Sequence, residues 1–179
     1  GGSNGKSVLL DILRRLIQGG VSTLSINDLS NQFMAFKLIN KTVNISTENE
    51  VDSNGIQTQH FKAAVAGEPI SVCEKFKTPF DYAPVAKLVF AVNNLPYSRD
   101  KSFGFARRVL FIPFRKKYIS EAEYNKRKAE GTLSDKMAIR DPFILDRLLP
   151  ELPGIFNWAL KGLERLRKNK YVFTASSVS

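Results

Sequence analysis

Cysteine, histidine and tryptophan are nearly absent from this chain, which has one of each among 179 residues. The single cysteine, Cys73, excludes an internal disulfide, and it has no second cysteine with which to form a zinc site. No apolar run approaches the roughly 20 residues that a membrane-spanning helix requires, and the glycine-rich, polar start does not resemble a secretory signal peptide. These absences favour a globular protein of a reducing cytoplasm, with no membrane partner.

Acidic residues are also scarce relative to basic ones. The chain has 27 Lys and Arg against 17 Asp and Glu, which gives a net charge of +10 and a pI near 9.8. Residues 101–179 hold 17 bases and 8 acids, whereas residues 1–100 hold 10 bases and 9 acids. A surplus of this size indicates a polyanionic partner such as nucleic acid, although a solvated basic surface explains it equally well.

The hydrophobic pattern alternates between helical and strand periods, which predicts an α/β fold with a mostly parallel sheet flanked by helices. Apolar residues at helical spacing follow Gly5. A buried strand is predicted at 42–47, where Val43 and Ile45 share one face, and another at the strongly apolar run 88–92. Further strands are predicted at 22–26 and 109–112. This order of elements is the one expected of a domain that binds its ligand at the carboxyl edge of the sheet.

The remaining elements are a hairpin and a helical region. The hairpin is predicted from arms at 70–72 and 80–82, on either side of a basic tip. Ser120, followed three residues later by a glutamate, forms a capping-box pattern that begins a charged helix. We expect residues 1–118 to form the α/β core and residues 119–179 to form an all-helical extension of the same domain.

The first seven residues contain most of a phosphate-binding loop. Gly5-Lys6-Ser7 fills the last three places of the pattern G-x-x-x-x-G-K-[ST], whose first glycine would lie one residue before Gly1, and the strand expected before the loop is missing from the sequence. Glycines let backbone N–H groups curl around phosphate oxygens, Lys6 would bridge the β- and γ-phosphates, and the Ser7 hydroxyl would ligate Mg²⁺. The residues predicted to bind nucleotide are Gly2, Ser3, Asn4, Gly5, Lys6 and Ser7.

Two carboxylates follow the predicted strand at 42–47. Glu48 and Glu50 would lie at the carboxyl end of a parallel strand, beside the phosphate loop. There Glu48 can hold Mg²⁺ through water, and one of the two can orient or deprotonate an attacking water. A solvated turn would also place carboxylates here, and the sequence leaves open which of the two acts as the base.

An amide and two arginines stand farther along the chain. Asn93 follows the predicted strand at 88–92, where it can hydrogen-bond a γ-phosphate and the attacking water, although asparagines are also common in turns. Arg107 and Arg108 precede the run at 109–112, and a planar guanidinium suits the charge of a transferring phosphoryl group. A surface salt bridge or a DNA phosphate contact would also explain one of the pair.

With these segments in order, the sequence resembles the superfamily 3 helicases, and more narrowly the helicase domain of phage- and plasmid-type (poxvirus-like) primase-helicases. The resemblance spans nearly the whole chain. It is carried by the segments 2–7, 45–50, 61–70, 87–96, 107–114 and 151–160.

The resemblance implies a P-loop NTPase of AAA+ type that uses ATP and Mg²⁺ to translocate on single-stranded or forked DNA. It implies a homo-hexamer with a primase domain on the same parent chain, in a bacterial or phage-infected cell. Lys6 and Ser7 take the Walker A roles, Glu48 and Glu50 the Walker B region, Asn93 the sensor, and Arg108, with Arg107 second, the arginine finger. Primase activity itself is not carried over to these residues.

The family also places a DNA-gripping hairpin before the sensor strand. In this sequence the hairpin tip carries Lys75 and Lys77, which can hold backbone phosphates without reading sequence. Phe76 between them could stack on a base or pack under the hairpin. Lys62 matches a basic position of the family and would face DNA or nucleotide.

Two other functional classes remain open from the sequence. A P-loop phosphotransferase acting on a small molecule would explain Gly5-Lys6-Ser7, but not the basic hairpin, the asparagine or the paired arginines. A non-catalytic DNA-binding or assembly module of a replication protein would explain the basic charge. Dependence of ATP hydrolysis on DNA separates the motor from the phosphotransferase, and DNA binding without ATP turnover would leave the non-catalytic module.

Overall fold

The computed structural model describes residues 3–47, 58–93, 105 and 107–173. The chain separates into two compact units, Gly1–Arg140 and Asp141–Ser179. The predicted boundary between a core of residues 1–118 and an extension of residues 119–179 stays a prediction.

A parallel sheet forms the centre of the first unit. Its strands are β1 (Val21–Ser22), β2 (Val43–Ser46) and β5 (Lys87–Phe90), in the order β1-β2-β5. Strand β2 pairs in parallel with both neighbours, and all four of its residues are buried. The mixed α/β architecture and the parallel strands are therefore confirmed, whereas the strand predicted at 22–26 is shorter and begins one residue earlier.

Helices cover both faces of this sheet. Helix α1 (Lys6–Leu16) packs Leu10 against Val43, Ile45 and Ala91 on one face. The opposite face contacts a larger apolar cluster that includes residues of α2 (Gln32–Ala35), α3 (Thr58–Ala66) and two short 3-10 turns. In β5, Leu88 and Phe90 pack against the larger cluster and Val89 against the cluster under α1, because successive side chains of a strand point to opposite faces.

The predicted hairpin is confirmed with the arms that the sequence indicated. Strands β3 (Ile70–Val72) and β4 (Phe80–Tyr82) pair antiparallel, with Val72 opposite Phe80 next to the tip. Ile70 and Val72 are buried in the larger cluster, whereas Ser71 between them is exposed. This alternation anchors one arm of the hairpin to the core and leaves the tip in solvent.

The expectation of an all-helical region after residue 118 is wrong, because this region contains a strand, β7 (Met137–Ile139), that pairs with β6 (Lys117–Ile119). The two strands pair in parallel, and α4 (Glu121–Ala129) lies between them in the chain. Three apolar residues are too short a run to reveal a strand, and β7 forms because β6 supplies its hydrogen-bond partners. The predicted helix start at Ser120 is confirmed, since the backbone N–H of Glu123 donates to the Ser120 hydroxyl at 3.2 Å, whereas the Glu123 carboxylate accepts from Arg127 at 2.9 Å.

The strand predicted at 109–112 is not formed. Leu110, Phe111 and Ile112 are exposed, and none of the described residues forms a ladder with them. Apolar, β-branched sequence favours an extended chain but does not suffice, because a strand needs a neighbour to accept and donate its backbone hydrogen bonds.

The described part of the second unit, residues 141–173, contains helices and no strand. Helix α5 (Ile144–Leu148) and helix α6 (Leu152–Lys168) are joined by a 3-10 turn, and neither helix has a buried residue. A proline near its start suits α6, since the missing N–H of proline would have no partner there. Among the described residues, no helix is long and apolar enough to cross a membrane.

Candidate functional site

The start of α1 and the carboxyl end of β5 meet at one edge of the parallel sheet. Lys6 is the first residue of α1, and its Nζ donates a hydrogen bond to Oδ1 of Asn93 at 3.1 Å. The two residues are 87 positions apart in the chain, and Asn93 lies three residues beyond β5. The structure therefore brings together the lysine and the amide that the sequence predicts to act on the same phosphate.

The backbone before α1 has the conformation of a tight loop. Gly5 caps the helix with φ of +87° and ψ of −2°, in the left-handed region, and Ser3 is also left-handed with φ of +61°. Among the residues that the structure describes, no side chain caps α1, and no acidic residue lies in its first turn. The first N–H groups of this helix consequently present partial positive charge at the edge where Lys6 lies.

The loop is braced by contacts with Phe114 and Tyr118, for which the sequence predicted no supporting role. The backbone N–H of Tyr118 donates to the Ser3 carbonyl at 2.7 Å, and the Asn4 side-chain amide donates to the Phe114 carbonyl at 3.5 Å. A Cβ on Gly5 would lie 3.8 Å from Cε2 of Tyr118. Residues of β6 and the segment before it therefore support the loop. No local pattern could reveal this contact, because it joins segments of the chain that lie far apart in sequence.

Helix α1 is fixed on the sheet by an arginine as well as by apolar packing. Arg14 donates to the Ile45 carbonyl of β2 at 3.2 Å and to Oδ1 of Asp11 at 3.0 Å. Strand β1 is only two residues long, so it pairs with Val43 and Asn44 but not with Ile45. The guanidinium thus satisfies a strand carbonyl and sets the helix against the sheet that carries Asn93.

The acids predicted for this edge lie outside the described residues, and so does Gly2. Strand β2 ends at Ser46, adjacent to β5 in the sheet, and Thr47 after it is exposed. Within the described ranges, no group of three or more His, Cys, Asp and Glu side chains could hold a metal ion. Ser7, the other residue predicted to bind the metal, is exposed in the first turn of α1.

The arginine pair lies in a turn that is anchored on the larger apolar cluster. Arg107 is exposed and Arg108 is partly buried, and the Arg108 N–H donates to the Phe105 carbonyl at 3.0 Å. Phe105 and Val109, on either side, pack against the cluster that covers the face of the sheet opposite α1. The ring of Phe105 also contacts Phe61, with 5.3 Å between centroids. These contacts fix the turn on the core, and the role predicted for either arginine stays a prediction.

The hairpin tip presents two cations and an aromatic ring to solvent. Lys75 and Lys77 are exposed, and Phe76 between them is 92% exposed. Nζ of Lys75 lies 5.1 Å from the centroid of the Phe76 ring, and Lys77 forms an ion pair with Glu74. Lys62 lies on α3 next to the buried Phe61 and is partly buried itself. The three side chains of the tip are therefore accessible to a large ligand.

Two comparisons relate this chain to known proteins, one to a viral protein and one to a protein family. Over 175 residues, which are 94% of the chain, it is 24% identical to a protein of Acanthamoeba polyphaga mimivirus named "Putative helicase". The chain spans 18% of the length of that relative. Residues 1–108, more than half of the chain, match the model of a family described as a family of unknown function (DUF5906), and they include Lys6, Asn93 and the arginine pair. The chain belongs to DUF5906.

Proposed function

We propose that this chain is the ATPase core of a DNA helicase, a P-loop motor of AAA+ type. The observation that carries the proposal is the hydrogen bond of 3.1 Å between Lys6 and Asn93 at the carboxyl edge of a parallel sheet. A lysine that follows a left-handed glycine at a helix start, in contact with an amide beyond a neighbouring strand, is the arrangement expected of a nucleotide γ-phosphate site.

Each group at this edge has a distinct task in the proposal. The ammonium of Lys6 neutralises charge on the β- and γ-phosphates, and the N–H groups at the start of α1 bind phosphate oxygens. The side-chain oxygen of Asn93 can accept a hydrogen bond from the attacking water while its NH₂ group donates to the γ-phosphate. Lys6 and Asn93 contact one another directly, and a bound nucleotide would separate them and contact both.

The metal and the base of the proposed reaction remain sequence-based assignments. Ser7 is exposed one residue after Lys6, so its hydroxyl can reach a Mg²⁺ that is also held by the nucleotide phosphates. Glu48, two residues after Ser46 of β2, would complete the Mg²⁺ site, and Glu48 or Glu50 would orient the water. The adjacency of β2 and β5 supports this assignment, since it directs the chain after β2 toward the edge that holds Asn93.

An arginine from a neighbouring subunit would complete the site. Arg108 is our choice for this role and Arg107 is the second, because a guanidinium matches the spread charge of the transferring phosphoryl group. The flanking residues Phe105 and Val109 pack on the face of the sheet opposite α1, which supports action on another subunit's nucleotide. We accordingly propose a homo-hexamer in a phage or mobile-element replication protein, with a primase domain on the same parent chain.

Single-stranded or forked DNA is the polymer along which we propose that this motor translocates, and we call it the DNA track. A net charge of +10, the exposed tip lysines Lys75 and Lys77, and Lys62 on α3 support a polyanionic partner. The name of the mimivirus relative, a helicase, supports the same class of activity.

Steady-state phosphate release by the full-length protein, with and without single-stranded DNA, tests the proposal. We expect DNA to stimulate ATP turnover and Lys6→Ala to abolish it, whereas Lys128→Ala, at an exposed position of α4, should retain it. Turnover that is indifferent to DNA would favour a small-molecule phosphotransferase. DNA binding without ATP binding or turnover would leave a DNA-binding or assembly module.

A further inference from the structure

The tip of the hairpin between β3 and β4 carries an aromatic residue that is exposed to solvent and has a left-handed backbone. Phe76 is 92% exposed, the largest exposed fraction among the large hydrophobic residues that the structure describes. Its backbone is left-handed, with φ of +68°, a conformation that bulky residues seldom adopt. The ring therefore does not pack under the hairpin, which was one of the two expectations from the sequence. Neither local propensity nor burial explains a phenylalanine at this position.

The residues around Phe76 hold the tip in one shape. The backbone N–H of Lys77 donates to the Glu74 carbonyl at 2.9 Å, which closes the turn. The buried thiol of Cys73 lies 3.2 Å from the Glu74 carbonyl and 3.0 Å from the Lys77 carbonyl. Lys77 and Glu74 also form an ion pair. The ring is thus presented from a braced turn, so little conformational freedom would be lost when a ligand covers it.

The neighbour of the ring indicates the chemistry of that ligand. Nζ of Lys75 lies 5.1 Å from the ring centroid, within the range of a cation–π contact. An exposed aromatic face next to ammonium groups suits a ligand that has flat π surfaces and negative charges at short intervals. Unpaired bases on a phosphate backbone have both features, whereas the bases of a duplex are stacked on one another and offer no free face.

We propose that Phe76 stacks on an unpaired base of single-stranded nucleic acid, while Lys75 contacts the adjoining phosphate. This inference rests on the proposed function, since it assigns the hairpin as part of the DNA track. It adds that the hairpin contacts base planes as well as phosphates and thereby discriminates single strands from duplex. Stacking tolerates every base, so the contact would not impose a sequence preference.

Tryptophan fluorescence gives a direct readout of this contact. The chain has one tryptophan, Trp158, so a Trp158→Phe/Phe76→Trp variant reports from the tip alone. We expect a single-stranded oligodeoxythymidine to quench this fluorescence, and an abasic strand of the same length and charge to bind without quenching it. Duplex DNA of the same length should also leave the fluorescence unchanged.

Binding affinities provide the second, independent readout. Phe76→Leu should weaken binding of the oligodeoxythymidine by about 5- to 150-fold, which is the range expected for loss of one stacked base. Binding of the abasic strand should change less than about twofold, because that strand offers no base to the ring. Phe33→Leu is the matched control, because Phe33 is a partly exposed aromatic residue (49%) outside the hairpin, and it should leave both affinities unchanged.

The outcomes separate this inference from the proposed function. If wild-type protein binds single strands but the Phe76→Trp fluorescence is not quenched and Phe76→Leu binds normally, the stacking role is wrong and the motor proposal stands. If Phe76→Leu weakens binding of the abasic and base-containing strands equally, Phe76 maintains the turn and does not stack. If wild-type protein binds no single strand, both proposals fail.

Discussion

Gly5 has a backbone conformation that explains why glycine stands before the lysine of the loop. Its φ of +87° is in the left-handed region, where a Cβ costs about 1–2 kcal/mol. A Cβ would have ordinary contact with Tyr118 at 3.8 Å, so the cost of a substitution arises from the backbone rather than from a clash. The residue therefore determines the path of the loop toward Lys6.

Substitution of Gly5 should separate stability from ligand binding. We expect Gly5→Ala to lower the free energy of unfolding by about 1 kcal/mol and to weaken ATP binding, because relief of the strain would turn the loop N–H groups away from the phosphates. Gly131 has a similar φ of +67° in a turn with nothing within 4 Å of its Cβ position. Gly131→Ala should lose similar stability in urea unfolding but keep its ATP affinity in calorimetry. Equal ATP affinities of the two variants would contradict the role of the loop.

Individual site residues could be predicted from the sequence to different degrees. The meeting of Lys6 and Asn93 was predictable, because the carboxyl ends of adjacent parallel strands share an edge with the helix that follows a phosphate loop. The support from Tyr118 could not be predicted, because it is a backbone hydrogen bond between distant segments, which residues of almost any type can form. Glu48, Glu50 and Gly2 lie outside the described residues, so their roles stay predictions. Arg108 is described, but its role also stays a prediction.

At the scale of the elements, a buried asparagine joins the first two strands of the sheet. Asn44 is fully buried in β2. Its side-chain oxygen accepts from the Ser22 hydroxyl at 2.9 Å and from the Leu24 N–H at 2.7 Å, and its amide donates to the Leu24 carbonyl at 2.9 Å. Because β1 has only two residues, these bonds continue its attachment to β2 beyond the ladder.

Removal of this amide should destabilise the fold. We expect Asn44→Ala to cost about 2–4 kcal/mol, because it leaves backbone and hydroxyl groups buried without partners. Asn31→Ala is the comparison, since Asn31 is exposed and caps α2 through the N–H groups of Phe33 and Met34, a contribution of about 1 kcal/mol. Urea unfolding measures both. A cost for Asn44→Ala no greater than that for Asn31→Ala would refute the role of Asn44 in joining the strands.

Elements with a strong local signal were predicted well, and elements that depend on a distant partner were not. Strand β5 lies in an apolar run, strand β2 places Val43 and Ile45 on one face, and the two hairpin arms lie on either side of a basic tip. The sequence failed to predict strand β7, which forms, and it predicted a strand at 109–112, which does not. The first is short but has β6 as its partner, whereas the second is apolar and β-prone but pairs with no described strand.

At the scale of the whole molecule, the basic charge should appear as salt-dependent DNA binding. Each lysine–phosphate contact with a single strand contributes about 0.7 to the slope of log affinity against log salt concentration. We expect Lys75→Gln/Lys77→Gln to weaken binding and to reduce this slope by up to about 1.4, the sum for two such contacts. Lys128→Gln, which removes an exposed charge of α4, should leave the slope unchanged in fluorescence-anisotropy titrations. Equal slopes for wild type and both variants would mean that the hairpin lysines do not contact DNA phosphates.

A ring in which Arg108 acts on a neighbouring nucleotide predicts complementation between inactive subunits. Lys6→Ala and Arg108→Ala should each abolish DNA-stimulated ATP turnover. A mixture of the two should regain part of it, because some interfaces then combine an intact Lys6 with an intact Arg108 from the next subunit. A mixture of Lys6→Ala with Asn93→Ala should regain none, since those residues belong to the same subunit's site. Equal behaviour of the two mixtures would contradict an arginine supplied in trans.

The central claim is that Lys6 and Asn93 act together on the phosphates of one bound nucleotide. A double-mutant cycle on ATP turnover with single-stranded DNA tests this claim most directly. We expect Asn93→Ala to keep ATP binding but to lower turnover by about 10²-fold, and Lys6→Ala to lose both, with the double variant no worse than Lys6→Ala alone. If the two losses multiply as independent effects, or if Asn93→Ala turns over like wild type, then the contact between Lys6 and Asn93 does not mark a catalytic site.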